Sequence, residues 1–221
     1  MPDKCETMRY ILEGGIIAII RAPDVERGYN LAEAARRGGI TAIEITMTVP
    51  GALDVIRDLA SRYRNGEILV GAGTILDPET ARLAILAGAE YIISPHFDPA
   101  TVRMCHRYRK VCIPGAMSVK EVVEVLESGA DAVKIFPAGL FGPSIIKAIR
   151  EPLPQAMMIP TGGVSLDNVA AWFEAGAVAV AVGGDLTREA LAKGDYGILE
   201  QKAKDYVARI KEVRKKLKGG K

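Results

Sequence analysis

The chain has 221 residues, enough for one substantial core, and a formal net charge of only +2 with aromatic residues at 5%, which excludes a basic nucleic-acid groove and an aromatic stacking platform. Its three cysteines, Cys5, Cys105 and Cys112, are odd in number and lack CxxC spacing, which argues against a disulfide framework or thiolate zinc site and for a reducing compartment. The N-terminal segment is polar, and the first apolar run, Ile16 to Ile20, is too short for a membrane span or a signal-peptide core. A cytoplasmic protein with small soluble partners is therefore expected, with no nucleic acid and no membrane among them.

In chain order, residues 1–14 read as an N-terminal helix and GIIAIIR at 15–21 as the first strand. Asp24 then opens a helix over VERGYNLAEAARR, and Gly38-Gly39 leads into the second strand, ITAIEIT. ILVGAGT at 68–74 is the third strand, and Asp77-Pro78-Glu79 starts a helix with proline at its first position. That helix ends at Gly88-Ala89 before YIISP, and VCIPG at 111–115 follows as the fifth strand. Ser118 with Glu121 forms a capping box ahead of a helix that ends at Gly129-Ala130, before DAVKIFP. MMIPTGG at 157–163 is the seventh strand, Ser165 with Asn168 the weaker form of a helix start, and Gly176-Ala177 leads into VAVAVGG. Tyr196 to Lys218 reads as a C-terminal helix.

The recurrence of a glycine-containing pair before an apolar run marks an internal repeat that suits two βα units at a time. Eight Val/Ile-rich strands alternating with eight helices predict an α/β protein, a single (β/α)8 TIM barrel domain over residues 1–221 with an extra helix at each end. An open doubly wound sheet is the second choice. In a barrel, function gathers at the C-terminal ends of the strands. Those ends carry Arg21; Glu44, Thr46 and Thr48; Gly71 to Thr74; Ser94, Pro95 and His96; Pro114-Gly115; Lys134 and Phe136; Thr161, Gly162 and Gly163; and Gly183, Gly184 and Asp185. Glycines after the last two strands, each followed by a helix start, either serve tight turns or let backbone N–H groups approach a phosphate. Asp185 opposes an anion there unless its carboxylate caps the helix that follows.

Lys134 and Glu44 are the two ionisable residues inside strands that otherwise read as core. Strand alternation places Lys134 with Ala132 and Phe136, and Glu44 with Ala42 and Thr46, so both point into the barrel if the isoleucines beside them pack under the helices. A desolvated lysine is a neutral amine able to attack a carbonyl, and a carboxyl group beside it can shuttle protons. The competing readings are a lysine that snorkels to water and a structural Glu44/Lys134 ion pair. His96 and His106 leave a metal site short of ligands, with only Asp98, Glu44 and Asp185 to complete one, and no metal is expected. Cys105 and Cys112 read as small buried hydrophobes.

The segments IEITMTVPGA, VGAGTILDPE, YIISPH, PGAMS, AVKIFPA, FGPSIIKAI, PTGGVSLDNV and VAVGGDL, in this order from about Gly15 to Asp195, resemble the 2-keto-3-deoxy-6-phosphogluconate (KDPG) aldolase family, with its 4-hydroxy-2-oxoglutarate (KHG) and 6-phosphogalactonate aldolase relatives. The resemblance implies a cofactor-free class I aldolase, a lyase of the Entner-Doudoroff pathway that is usually trimeric. It would cleave the keto-acid KDPG to pyruvate and glyceraldehyde 3-phosphate, and KHG to pyruvate and glyoxylate. It makes Lys134 the Schiff-base lysine and Glu44 the general acid/base. It also places Thr74, Pro95 and Phe136 around the pyruvyl part with Thr161 nearby, and Gly162, Gly163, Gly183 and Gly184 around the phosphate. The chain departs from the pattern twice. Thr48 stands where some members carry an arginine that contacts the anionic end of the substrate, a charge that Arg21 is expected to replace, and Gly184 stands where others carry a serine.

Overall fold

The computed structural model describes residues 3–219. Helix α1 (Lys4–Gly14) is opened by a capping box, with Glu6 N donating to Asp3 Oδ1 at 2.8 Å and Asp3 N donating to Glu6 Oε2 at 2.9 Å. Met1 and Pro2, the first residues of the expected N-terminal helix, lie outside the described residues. Strands and helices then alternate: β1 (Ile16–Ile20), α2 (Val25–Arg37), β2 (Ala42–Thr46), α3 (Ala52–Arg62), β3 (Leu69–Gly73), α4 (Pro78–Ala87), β4 (Tyr91–Ile93), α5 (Pro99–Arg107), β5 (Val111–Ile113) and β6 (Gly115–Ala116). The second half holds α6 (Val119–Glu127), β7 (Val133–Ile135), α7 (Ser144–Arg150), β8 (Met158–Pro160), α8 (Val169–Glu174), β9 (Val180–Val182), α9 (Gly184–Lys193) and α10 (Tyr196–Gly219).

All strand pairs are parallel, in the orders β5-β4-β3-β2-β1-β9 and β6-β7-β8. A bridge between Thr161 and Ala181 joins β8 to β9. β5 and β6 are the expected VCIPG strand, interrupted at Pro114, which has no N–H to give to a ladder. The Pro114 carbonyl still accepts from Lys134 N at 2.8 Å. The result is an α/β fold built on a curled parallel sheet flanked by helices.

The curl separates two apolar layers. Ile16, Ala18, Ile20, Ile43, Ile45, Val133, Ile135, Val180 and Val182 face the helices, while their neighbours Ile17, Ile19, Ala42, Ala132, Ile159, Ala179 and Ala181 pack together on the inner face. Met8 and Ile11 of α1 join that inner cluster, so the N-terminal helix covers one end of it. Cys105 and Cys112 are buried in the outer layer, as their reading as small hydrophobes anticipates.

The helix starts at Asp24, Asp77 and Ser118 form where their capping chemistry places them, and Asp98 with Pro99 opens α5 in the same way as Asp77 with Pro78. The start expected at Ser165 does not form. The Asn168 side chain instead accepts from Ser165 N at 2.9 Å and Trp172 Nε1 at 3.0 Å and donates to the Gly163 carbonyl at 2.8 Å, and α8 begins only at Val169. These bonds hold the loop after β8 in a turn.

Ile11 is fully buried in the inner cluster (0% exposed), so Ile11→Ala is expected to cost about 2–5 kcal/mol in urea unfolding through lost burial and a residual cavity.

Candidate active site

Lys134 is the central residue of β7 and Glu44 the central residue of β2, and they are 5% and 1% exposed respectively. Each lies two positions from an inner-face alanine, Ala132 and Ala42, so strand alternation aims both side chains inward. Lys134 Nζ lies 5.2 Å from the centroid of the Phe136 ring, which shares its face. Glu44 reaches across β3, where a Cβ on Gly73 would collide with its Oε1. Gly71, two residues earlier on the same face and paired in register with both Glu44 and Tyr91, clears the space that the Tyr91 ring fills. Two glycines in one strand thus make room for a carboxylate and for the aromatic floor beside it.

Glu44 Oε2 is buried without a hydrogen-bond partner among the described residues, as are Thr161 Oγ1 and the Tyr91 hydroxyl. Burial raises the Glu44 carboxyl above the usual carboxylate range, against the pull of Lys134 and then of Arg21. Neither Lys134 nor Glu44 belongs to an ion pair among the described residues, and Arg21 and Arg188 are likewise unpaired. Among the described residues the structural Glu44/Lys134 ion pair considered from the sequence does not form, and both residues line one cavity.

That cavity has a volume of about 710 Å³ and is lined by Arg21, Glu44, Thr74, Pro95, Lys134, Phe136, Thr161, Gly162, Gly183 and Gly184 among the residues singled out from the sequence. Thr74 holds a left-handed backbone (φ +56°), a conformation that β-branched residues rarely adopt and that is concentrated at functional sites. Two expected residues fall elsewhere. Thr48 is exposed and outside this lining, held by a 2.9 Å contact with Thr46 Oγ1, which itself donates to the Ile20 carbonyl at 3.1 Å. Gly163 lines a smaller adjoining cavity of about 380 Å³, together with Gly162, Gly183, Gly184, Asp185 and Arg188.

Asp185 does not cap α9. Gly183 occupies the N-cap without a side-chain bond, while Asp185 Oδ2 accepts from the Tyr206 hydroxyl at 2.7 Å. His96 is exposed and contacts Ser94 Oγ at 3.1 Å through Nδ1. Among the described residues no three His, Cys, Asp or Glu side chains come together as a metal site.

Ile19, Thr187, Arg188 and Leu191 also line the main cavity and were not singled out from the sequence. Arg188 had a legible signal. It stands four residues after Gly184 in a helix, and helical side chains lean towards the N-terminus and cover the preceding turn.

Residues 8–202 match the KDPG and KHG aldolase family. The chain is 35% identical over 184 residues to the 2-dehydro-3-deoxy-phosphogluconate aldolase of Treponema pallidum, covering 82% of this chain and 86% of that protein. It is 33% identical over 174 residues to the 2-dehydro-3-deoxy-6-phosphogalactonate aldolase of Escherichia coli, covering 78% and 84%. It also superimposes with a TM-score of 0.80, at 28% identity and over 89% of this chain and 96% of the other, on KDPG aldolase from Legionella pneumophila with pyruvate captured at low pH as a covalent carbinolamine intermediate. The chain belongs to the KDPG and KHG aldolase family, and it is a class I aldolase, a carbon–carbon lyase.

Because burial raises its pKa in the folded state, Glu44 contributes stability that is complete below the unfolded carboxylate pKa and is lost as pH rises through the raised folded value. Glu44→Gln is therefore expected to be more stable than the wild type at neutral pH, with the difference shrinking as the pH falls into the ordinary carboxylate range. Urea midpoints measured across that range check the sign.

Proposed function

We propose that this chain cleaves KDPG to pyruvate and glyceraldehyde 3-phosphate through an imine on Lys134, with Glu44 carrying the protons. The observation that carries the reading is the convergence of a buried, unpaired lysine and a buried, unpaired carboxyl group on one cavity.

The Lys134 amine adds to the C2 ketone, and the carbinolamine loses water to give an iminium ion. Glu44 removes the C4 hydroxyl proton, the C3–C4 bond breaks, and its electron pair moves into the iminium to leave an enamine as glyceraldehyde 3-phosphate departs. The raised pKa of Glu44 suits this base and its return as an acid, since the carboxylic acid formed can reprotonate the enamine at C3. Hydrolysis of the imine releases pyruvate and restores the amine. The carbinolamine captured in the Legionella relative is the first intermediate of this scheme. The same steps convert KHG to pyruvate and glyoxylate.

Thr74, Pro95, Phe136 and Thr161 line the same cavity, which suits a pyruvyl site. Gly162 and Gly163 hold positive φ angles (+81° and +78°) beside the uncapped start of α9, which suits a phosphate at their N–H groups and at those of Gly183 and Gly184. The reading includes a single domain whose sheet closes as a (β/α)8 barrel. The Thr161–Ala181 bridge and the Lys134 N to Pro114 O bond support that closure. A homotrimer in the cytoplasm belongs to the same reading and rests on the family resemblance, and light scattering checks it by a mass three times that of the chain.

Borohydride treatment in the presence of pyruvate tests the chemistry. A pyruvyl-sized mass gain on the peptide holding Lys134 is expected in the wild type and in Glu44→Gln, and none in Lys134→Ala. Lys134→Ala should lose essentially all turnover, and Glu44→Gln should lose cleavage by about 10²- to 10⁴-fold, the usual contribution of a general acid/base. Near-native cleavage by Lys134→Ala would end the account.

A further inference from the structure

Resting on the aldolase reading, we propose that Arg188 is a specificity-determining residue, whose guanidinium binds the terminal phosphate of the substrate and makes the enzyme prefer phosphorylated over unphosphorylated aldehyde partners. Arg188 lines both the main cavity and the small cavity beside it, where the glycine loops after β8 and β9 meet. Its Nη2 lies 3.0 Å from where a Cβ on Gly184 would stand, so the glycine lets the guanidinium lie close over the loop backbone.

Among the described residues the charge of Arg188 is uncommitted. The two nearest carboxylates in sequence are engaged elsewhere: Asp185 accepts from Tyr206 at 2.7 Å, and Glu189 is paired with Lys193 at 2.9 Å and Lys202 at 3.5 Å. Arg21, at the end of the strand paired with β9, lines the same cavity and is also unpaired among the described residues. Two guanidinium groups facing one cavity repel each other unless an anion lies between them, and arginine's planar fork suits phosphate oxygens. Position along the sheet agrees with this role. Lys134 is on β7, whereas Arg21 and Arg188 follow β1 and β9, beyond the intervening β8. The reacting ketone and the terminal anion are thus held by different strands. Thr48, exposed and outside the lining, brings no charge from β2.

The test runs the reaction in the synthetic direction, where the aldehyde can be varied without choosing the C4 configuration of a keto acid. The KM for glyceraldehyde 3-phosphate is compared with that for D-glyceraldehyde, each with pyruvate, in wild type, Arg188→Gln and Arg188→Lys. The expected result is a wild-type preference for the phosphorylated aldehyde that falls about ten- to hundredfold in Arg188→Gln, the range of a charge-assisted hydrogen bond, and is partly restored in Arg188→Lys. An unchanged preference in Arg188→Gln overturns the proposal, as does an equal loss on both aldehydes, which is the signature of a merely structural role. Borohydride trapping of pyruvate by the wild type separates the two levels of inference. Trapping at Lys134 with an unchanged preference overturns only the role of Arg188, whereas failure to trap overturns the aldolase scheme and this inference with it.

Discussion

The structure depends on placing an amine and a carboxyl group inside a parallel sheet whose other positions are apolar. Parallel strands covered on both sides are normally continuous hydrophobic surfaces, and an ionisable group among them carries a desolvation cost. Lys134 and Glu44 both bear that cost, without the direct ion pair that would offset it. Both line the same cavity. Burial holds Glu44 above its ordinary carboxylate range, against the pull of Lys134 and Arg21, which suits a group that gives and takes protons.

The neighbouring strands are shaped by that placement. β3 gives up two side chains, at Gly71 and Gly73, so that Tyr91 and Glu44 can occupy the inner face. β5 and β6 are broken at Pro114, yet the proline carbonyl still anchors the backbone of Lys134. The layer under the helices is apolar throughout, mostly Ile, Val and Ala with Cys112 and Met158 among them, so packing and ionisable groups are divided between the two faces of the same strands. In the loop after β8, Gly162 and Gly163 hold positive φ angles that other residues rarely adopt.

Much of this was legible in the sequence because it is local. Period-2 alternation identified the faces of β2 and β7, and with them the inward aim of Glu44 and Lys134. Side-chain caps marked the starts of α2, α4 and α6, since each needs only a residue and its neighbour three positions on. Ser165 shows where that logic stops. Besides Ser165, the Asn168 side chain has two further partners, Trp172 and the Gly163 carbonyl, and together they hold a turn where local chemistry alone favours a helix start.

By itself the sequence determined the α/β class, the order of strands and helices and the inward aim of the two ionisable residues of β2 and β7, because backbone propensity, capping and alternation act over a few residues. Only the tertiary structure decided which side chains share a cavity. It left Thr48 outside, turned Asp185 to Tyr206, left Lys134 and Glu44 without an ion pair among the described residues, and put Arg188 on the wall of the cavity that Arg21 also lines. Those outcomes depend on the curl of the sheet and on contacts between residues far apart in the chain, and distances of that kind have no signature in local pattern.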